Sequence, residues 1–482
     1  MNSSPYIALV QLQSAASSLA QSFEVGIVQQ TPFPNLTPSI SSKLEQLCIE
    51  AFNLSRAPDQ IDEFSHAFCA PELTVVVGQH GGTIRMGVAK SVASVNRLAR
   101  IRGEIDGLVA QCYGLSTDDN QRLLLTLDTQ TIVDDLSLES LADDDSDEIA
   151  VDGHAAGDST LGLLQSVENL FQWCLGCVAG RWDVRFARYS TLLPRLQGPF
   201  EALPRCSPGM LVGIDGLPAI PNGIVSEEWL LARPNVISLP PEGSVRQPTI
   251  PESEYPLRIA WDGIIPDDES HADDMVRRVR SVLELLWADR AESIEQEACE
   301  ILDVPSLREY FRQPKQFLDY HIKRYSKSRR KAPIYWLLQS AKKNYGLWLY
   351  YHRIDQDTLF KALTQYAEPK ISLEKIGLDD LRGQLSPDLA ARERRALERS
   401  VAKQEALLEE LTDFRNELER LARLQLTPDF NDGVLIGMAP LHTLVPWKEA
   451  EKMWDELVDG KYPWSSMSQR MRERGLVKNL GS

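Results

Sequence analysis

Along this 482-residue chain, apolar positions recur with a helical period over long stretches and with a strand period over short ones. Ile105, Leu108, Val109, Cys112 and Tyr113 fall at i, i+3, i+4, i+7 and i+8, a single stripe that predicts a helix within residues 88–113. Gly114 is placed to end it in the left-handed conformation, and Ser116 with Asp119 can start the next helix as a capping pair. Ser42, with Glu45 at the capping-box position, predicts a helix through Ala51. Residues 161–179 are apolar nearly all round and predict a buried helix, and residues 273–299 are helical again. Leu397, Val401, Leu408, Leu411, Phe414, Leu418 and Leu421 are mostly three and four apart. They predict a long helix over 387–425 with a coiled-coil-like seam, suited to packing on another long helix of this chain or of a partner.

Strand patterns are fewer. Residues 23–28 alternate until Pro32 and Pro34 stop them, and Thr74-Val75-Val76-Val77 is a short β-branched run. Residues 334–338 and 347–351 read as two strands of a hairpin around a Lys342-Lys343-Asn344 turn. Prolines punctuate residues 194–241, a loop-rich stretch with short strands. The pattern as a whole is α+β, with no solenoid repeat.

Charge divides the chain further. Residues 134–158 are crowded with carboxylates, including Asp143-Asp144-Asp145 and Asp147-Glu148, and read as a self-repelling linker. They lack the alternation and central glycine of a calcium loop. The expected organisation is a connector over 1–75, a helical hairpin spacer over 76–133 and an acidic linker over 134–160. An α+β domain over 161–385 follows, then a long helix and interaction region over 386–482.

The net charge of −18 excludes a protein that coats nucleic acid over its whole surface, but not one with a localised basic face. No apolar run reaches the roughly 20 residues that span a bilayer. Met1 to Pro5 show no basic stretch leading into an apolar one, so neither a membrane partner nor a secretory signal is expected. Seven scattered cysteines fit a reducing, cytoplasmic setting. Cys174 and Cys177 have C-x-x-C spacing, yet no second pair follows at a zinc-site distance, so a buried helix explains them better.

Residues 311–353 concentrate the positive charge. They hold eleven Lys or Arg against the single acid Asp319, a net +10 that leaves −28 over the rest of the chain. Tyr320, Tyr325, Tyr335, Trp336, Tyr345, Trp348, Tyr350 and Tyr351 are interleaved with the cations. Cations neutralise phosphates and release counterions, while aromatic faces stack on bases, so this composition favours nucleic-acid contact. The competing reading is a solvated charged loop followed by a buried aromatic hairpin. Either way, many of the strand aromatics belong to a core.

Other chemistries find no support. His321-Ile322-Lys323 has the start of a phospholipase-D-type phosphodiesterase motif, but Ser328 stands where its Asp is needed and no second H-x-K exists. Asp267-Asp268-Glu269 lack an E-x-K partner for a restriction-type metal site. There is no G-x-S-x-G elbow and no Walker loop, and the glycines at 78, 81 and 82 lead into no helix with dinucleotide spacing.

The segment Arg324-Tyr325-Ser326-Lys327-Ser328-Arg329-Arg330-Lys331-Ala332-Pro333-Ile334-Tyr335-Trp336, followed by Leu347-Trp348-Leu349-Tyr350-Tyr351-His352-Arg353, resembles the C-terminal region of large adenine-specific DNA methyltransferases. These are the methylases of bacterial phage-exclusion systems (BREX, phage growth limitation and DISARM-like), related to fused restriction–modification enzymes. Glu104-Ile105-Asp106-Gly107-Leu108-Val109 with Tyr113-Gly114-Leu115 is similar to the helix those proteins carry after their catalytic domain. Cys177-Val178-Ala179-Gly180-Arg181-Trp182-Asp183 resembles their "GC-FGRWD" segment, and Asn431-Asp432-Gly433-Val434 with Ala439-Pro440-Leu441 their "NDGV…APL" signature. The motifs run in family order over residues 20–475, and residues 23–34 look like the strand closing the methylase domain.

The family's catalytic motifs, a glycine-rich F-x-G-x-G-like loop for S-adenosylmethionine and N-P-P-Y for the flipped adenine, do not occur in the sequence. Ser4-Pro5-Tyr6 has one proline and reads as coincidence. The resemblance therefore implies a target-recognition portion over 161–385, either a separate specificity subunit or a truncated product, that does not methylate alone. It implies no cofactor in this chain, S-adenosylmethionine on a partner catalytic domain, and as partners double-stranded DNA and a methyltransferase subunit or other phage-defence proteins. Lys323, Arg324, Lys327, Arg329, Arg330 and Lys331 are the expected phosphate contacts, with Tyr335 and Trp336 as stacking candidates. Arg181, His352 and Arg353 are weaker DNA-binding candidates, since an Arg beside Trp182 or Tyr351 can also brace the fold. The alternative is a scaffold of a defence complex that reads no DNA.

Overall fold

The structure is a computed structural model. It describes residues 3–13, 29–74, 84, 92–116, 118–119, 159–193, 198–202, 204–233, 239–327, 330–386 and 390–478. The strand expected over 23–28, residues 75–77 and the acidic segment 134–158 lie outside the described residues. The chain divides into two compact units, Met1–Asp62 with Val88–Ala155 and Gln197–Glu201, and Glu63–Gly87 with Ala156–Leu196 and Ala202–Ser482.

In the first unit, α1 (Ser4–Gln13) and α2 (Pro38–Arg56) pack on α3 (Val92–Cys112). Helix α2 starts four residues before the Ser42 expected from the sequence, because Thr37 and Pro38 make the stronger start. The Thr37 hydroxyl accepts from the Ile40 amide at 3.4 Å, and Pro38 occupies a first-turn position that needs no amide donor. Asp106 of α3 caps α1 by accepting from the Ser4 amide (2.8 Å) and hydroxyl (2.7 Å). The Ser-Pro-Tyr tripeptide is thus a helix start. Arg97 grips Glu50 with two hydrogen bonds, at 2.7 and 2.8 Å, tying α3 to α2. Helix α3 ends as its sequence predicts, with Gly114 at φ +70° and the Leu115 amide donating back to the Ala110 carbonyl at 3.0 Å. Ser116 and Asp119 then form the reciprocal capping pair.

The second unit is built around α4 (Ser159–Val178) and a small antiparallel sheet. A two-stranded ladder pairs β1 (Ile224–Val225) with β2 (Thr249–Ile250). The main sheet has β7 (Gly346–Tyr350) between β3 (Ile264–Asp267) and β6 (Tyr335–Gln339). Leu349 stands opposite both Ile264 and Trp336, and Trp348 opposite Ile265 and Leu337. Every residue of β6 and β7 is buried, the signature of strands covered on both faces. The β6–β7 turn spans Ser340–Tyr345, with Lys343 at φ +63°. A short hairpin, β4 (Ser326–Lys327) and β5 (Arg330–Lys331), precedes the sheet.

Covering the sheet are α5 (Met275–Trp287), α6 (Ala291–Ile301), α7 (Leu307–Arg312), α8 (Phe317–Arg324), α9 (Glu368–Gly383) and α10 (Ala391–Leu424). The single helix expected over 273–299 is two. Ala288 takes φ +46° after the buried Trp287, and α6 doubles back so that Glu295 meets Arg280 at 2.7 Å. Helix α10 pairs with α9 inside the chain. Its Gln404 amide donates to the Glu374 carbonyl at 3.0 Å, and its Arg415 meets Glu368 at 2.9 Å. Leu411, Phe414, Leu418 and Leu421 of α10 enter the same core as Leu170, Phe171 and Trp173 of α4 and Leu337, Trp348 and Leu349 of the sheet. The carboxylate of Glu410 accepts from the Ser340 hydroxyl (2.6 Å), the Lys342 amide (2.8 Å) and the Asn344 side chain (2.6 Å), pinning the β6–β7 turn to α10. Burial opposes its charge, yet those donors hold its carboxyl below the usual range.

The family-like signatures have structural roles here. Gly180 sits at φ +71°, and a methyl on Gly176 would overlap the indole of Trp182. Asp183 caps the helical turn Val184–Arg188 and pairs with buried Arg185 at 2.7 Å. Asp432 accepts from the Ser466 (2.9 Å) and Met467 (2.8 Å) amides and so starts α11 (Ser466–Glu473), while Gly433 takes φ +89°. Among the described residues, no helix is long and apolar enough to cross a membrane, and no cluster of metal-ligating side chains occurs. Cys174 and Cys177 are fully buried, with burial pushing both thiols up. Asp267 is held by Arg308 and Arg312, and Asp268 by Lys370, so that acidic cluster is spent on ion pairs.

Candidate nucleic-acid interface

The basic block forms an arm. Helix α8 ends at Arg324, and the chain turns out through β4 and back through β5 with Ser326 opposite Lys331 and Lys327 opposite Arg330. The Ala332 amide donates to the Tyr325 carbonyl at 3.0 Å, closing the arm's base. Ser328 and Arg329, at the tip, lie outside the described residues. Like charges directly opposite one another across a ladder weaken it. A register that sets Lys327 against Arg330 is therefore no aid to the hairpin.

The arm's exit is anchored on His321, which is completely buried. Its Nε2 accepts from the backbone amides of Ile334 and Tyr335, each at 3.0 Å, so that nitrogen carries no proton. The proton sits on Nδ1, which donates to the Gln172 side-chain oxygen at 2.9 Å. The Gln172 amide group donates in turn to Glu63, which also accepts from Arg181, from Trp182 Nε1 (3.3 Å) and from the Tyr325 hydroxyl (2.8 Å). A chain of hydrogen bonds thus runs from the arm's exit, through α8 and α4, to the distant Glu63 carboxylate. Such a network rigidifies its surroundings when every member is satisfied.

Burial, reinforced by the charge of Arg181, holds His321 well below its ordinary range. The unfolded side chain protonates near about pH 6.5. Its contribution to stability is then complete above that pH and is lost as the pH falls below it, because the unfolded state binds the extra proton. In urea titrations at about pH 7.5, 6 and 5, we expect the wild-type chain to lose stability more steeply below about pH 6.5 than His321→Gln does. Equal pH slopes would refute the assignment of the neutral tautomer.

The expected interface residues separate into distinct environments. Lys323 is exposed and meets Asp319 at 2.8 Å, and Arg324 lies over the Phe64 ring at 4.9 Å. Lys331 pairs with Glu449 at 3.0 Å in a half-exposed bridge. Lys327 and Arg330 belong to the arm by their backbone pairing. Tyr335 and Trp336 are 1% exposed, and the indole of Trp336 donates to the Pro333 carbonyl at 2.7 Å. Neither ring has a face open to a base in this conformation. Arg353 donates to the carbonyls of Ala179 (3.1 Å), Gly180 (3.3 Å) and Ala219 (3.2 Å) and lies over Trp261. Arg181 is committed to Glu63 and Tyr325, so both arginines brace the fold. His352 is exposed beside Tyr351 and Phe430.

Some of the +10 is also neutralised at once, since Arg312 and Lys331 each meet a carboxylate from outside the block. Lys315 and Lys342 remain exposed. Burial pushes the Glu168 carboxyl up to about 7 even though Lys323 pulls it back, so near neutrality this neighbour cancels only part of a positive charge. Sequence reasoning missed Glu63, Gln172 and Glu449, which carry no local motif. His321 had a signal in its place on the apolar Phe317–Leu318 face of α8, where a lone polar residue needs buried partners.

The molecule is thus an α+β protein carrying a rigidly rooted basic arm, and part of its chain is similar to adenine-specific methyltransferases. Over 195 residues it is 29% identical to the adenine-specific methyltransferase BrxX of Escherichia coli O9:H4 (strain HS), a match covering 36% of this chain and 15% of that protein. Over 122 residues it is 25% identical to the adenine-specific methyltransferase PglX of Lacticaseibacillus casei (strain Zhang), covering 25% of this chain and 10% of the relative. The chain therefore matches only a small part of the length of either relative. No family model matches it.

Proposed function

We propose that this chain is the DNA-binding, target-recognition portion of an adenine-N6 DNA methyltransferase acting in bacterial phage defence, in a BREX-type system. The observation that carries this reading is the basic hairpin Tyr325–Pro333, which opposes Lys327 to Arg330 and is anchored at its base on buried His321. Similarity to two adenine-specific methyltransferases supports it independently. The arm takes the phosphate contacts through Lys327, Arg329 and Arg330, flanked by Lys323, Arg324 and Lys331. A two-stranded ribbon of this kind is narrow enough to enter a major groove.

Adenine N6 is reached only once the base leaves the stack, so the module's task is to hold the duplex in register for a partner's pocket. S-adenosylmethionine belongs to that partner catalytic domain. Other defence proteins are further partners, with the first turns of α10, mostly exposed, as a docking face.

The test is fluorescence anisotropy of a labelled duplex with the purified chain across a salt series. Contact with about four to six phosphates gives a log–log slope of roughly −4 to −5. An absence of binding at low salt, both alone and with the catalytic partner added, would overturn the reading in favour of a scaffold.

A further inference from the structure

Two arginines outside the basic block, Arg205 and Arg233, line a small cavity. The helical turn Glu227–Ala232 is started by Ser226, whose hydroxyl accepts from the Trp229 amide at 3.1 Å, and Arg233 follows it directly. The Arg233 guanidinium lies 5.5 Å from the Phe186 ring centroid and 5.8 Å from that of Trp229. Its Nε and one terminal nitrogen are shut off from solvent and have no hydrogen-bond acceptor among the described residues. A buried guanidinium left this way is costly.

The buried carboxylate whose charge acts on it does not relieve it. Asp183 is already taken by Arg185, through Nε at 3.0 Å and a terminal nitrogen at 2.7 Å, and by the Tyr255 hydroxyl at 3.2 Å. Burial accordingly pushes Arg233 down to about 10, with Asp183 only partly opposing it.

Arg233 lines a cavity of about 80 Å³, walled also by Arg205, Cys206, Ser207, Trp229 and Gly216. Asp215 lines it too; its Oδ1 accepts from the Leu217 amide at 3.0 Å, and among the described residues it forms no ion pair with either arginine. Arg205 is exposed at the mouth. The cavity is far smaller than the roughly 300 Å³ of a small-molecule pocket. It suits one tetrahedral group. Two guanidiniums, one of them fixed against aromatic rings, supply the planar donor geometry that phosphate oxygens match.

We propose that this cavity binds a single phosphate group through Arg233, with Arg205 closing over it. The phosphate can be free or part of a duplex backbone, and only the second assignment rests on the DNA-binding reading above.

The test is thermal unfolding of the full chain in inorganic phosphate against chloride at matched ionic strength. Wild type is expected to gain about 2 °C or more in phosphate at concentrations well above the dissociation constant. Arg233→Gln loses that gain, and its midpoint in chloride equals or exceeds that of wild type, because a buried unpaired charge has been removed. Arg205→Gln, at an exposed position, keeps the fold and shows a reduced phosphate response, which guards against misfolding of the first variant. No phosphate-specific gain in wild type, or an equal gain in Arg233→Gln, overturns the site. The duplex salt slope then separates the two sources. A magnitude smaller by about 0.9 in Arg233→Gln marks a backbone phosphate, and an unchanged slope with the phosphate gain intact in wild type marks a free one.

Discussion

Glutamate at Lys327, Arg329 and Arg330 together is expected to abolish duplex binding while leaving the unfolding midpoint of the protein in place. Lys327 and Arg330 are paired across the arm's ladder, and Arg329 lies between them in the sequence. Each phosphate contact removed takes about 0.9 from the magnitude of the salt slope, and the new carboxylates repel the phosphates that remain. A fall in affinity of at least about 100-fold at low salt follows. The fold is spared because the arm's base is held elsewhere, by His321 on the Ile334 and Tyr335 amides and by Lys331 on Glu449. For that reason Lys331 is left unchanged. Its loss would free Glu449, whose carboxyl is lowered because Lys331 outweighs the opposing effect of burial, and so would mix a structural effect with an electrostatic one. A folded triple variant that binds as tightly as wild type would remove the arm from the interface.

The second large effect is expected at Glu63. It is the shared acceptor for Arg181, Gln172, Trp182 and Tyr325, and its side chain is 6% exposed against 14% for Arg181. Burial opposes the charge on Arg181, but its surroundings hold it protonated, well above its ordinary range. Glu63→Ala therefore strands a buried cation together with the Gln172 amide and the Trp182 indole. The expected loss is about 3–5 kcal/mol, read as a shift in the urea midpoint. Adding Arg181→Met to Glu63→Ala should restore much of that loss, since removing both charges of a buried pair costs far less than removing one. A single variant losing less than about 1 kcal/mol would mean that water reaches the pair. The coupling between the two substitutions, obtained from the full cycle, measures how tightly the arm's foundation is wired to the Glu63 loop.

Local chemistry foretold most of the elements. The apolar girth of α4, the i, i+3, i+4 stripe of α3 with its Gly114 stop, the long period of α10 and the paired aromatic runs of β6 and β7 all depend on residues within one or two turns of one another. Where a local reading erred, a stronger local signal lay nearby. Thr37-Pro38 outcompeted Ser42 as a helix start, and a left-handed Ala288 broke an amphipathic run that has no proline or glycine to announce the break.

The sequence by itself determined that the protein is α+β, that a 43-residue block carries a net +10 in an acidic chain, and that a hairpin lies within it, because composition, period and turn residues are properties of neighbours. Only the tertiary structure decided which of those cations are spent. Arg312 meets Asp267, Arg353 holds three backbone carbonyls, and Tyr335 and Trp336 lie in the core, while outside the block Arg181 is committed to a carboxylate 118 residues earlier. Charge pairing and burial depend on distance in space, and no spacing along the chain encodes that distance.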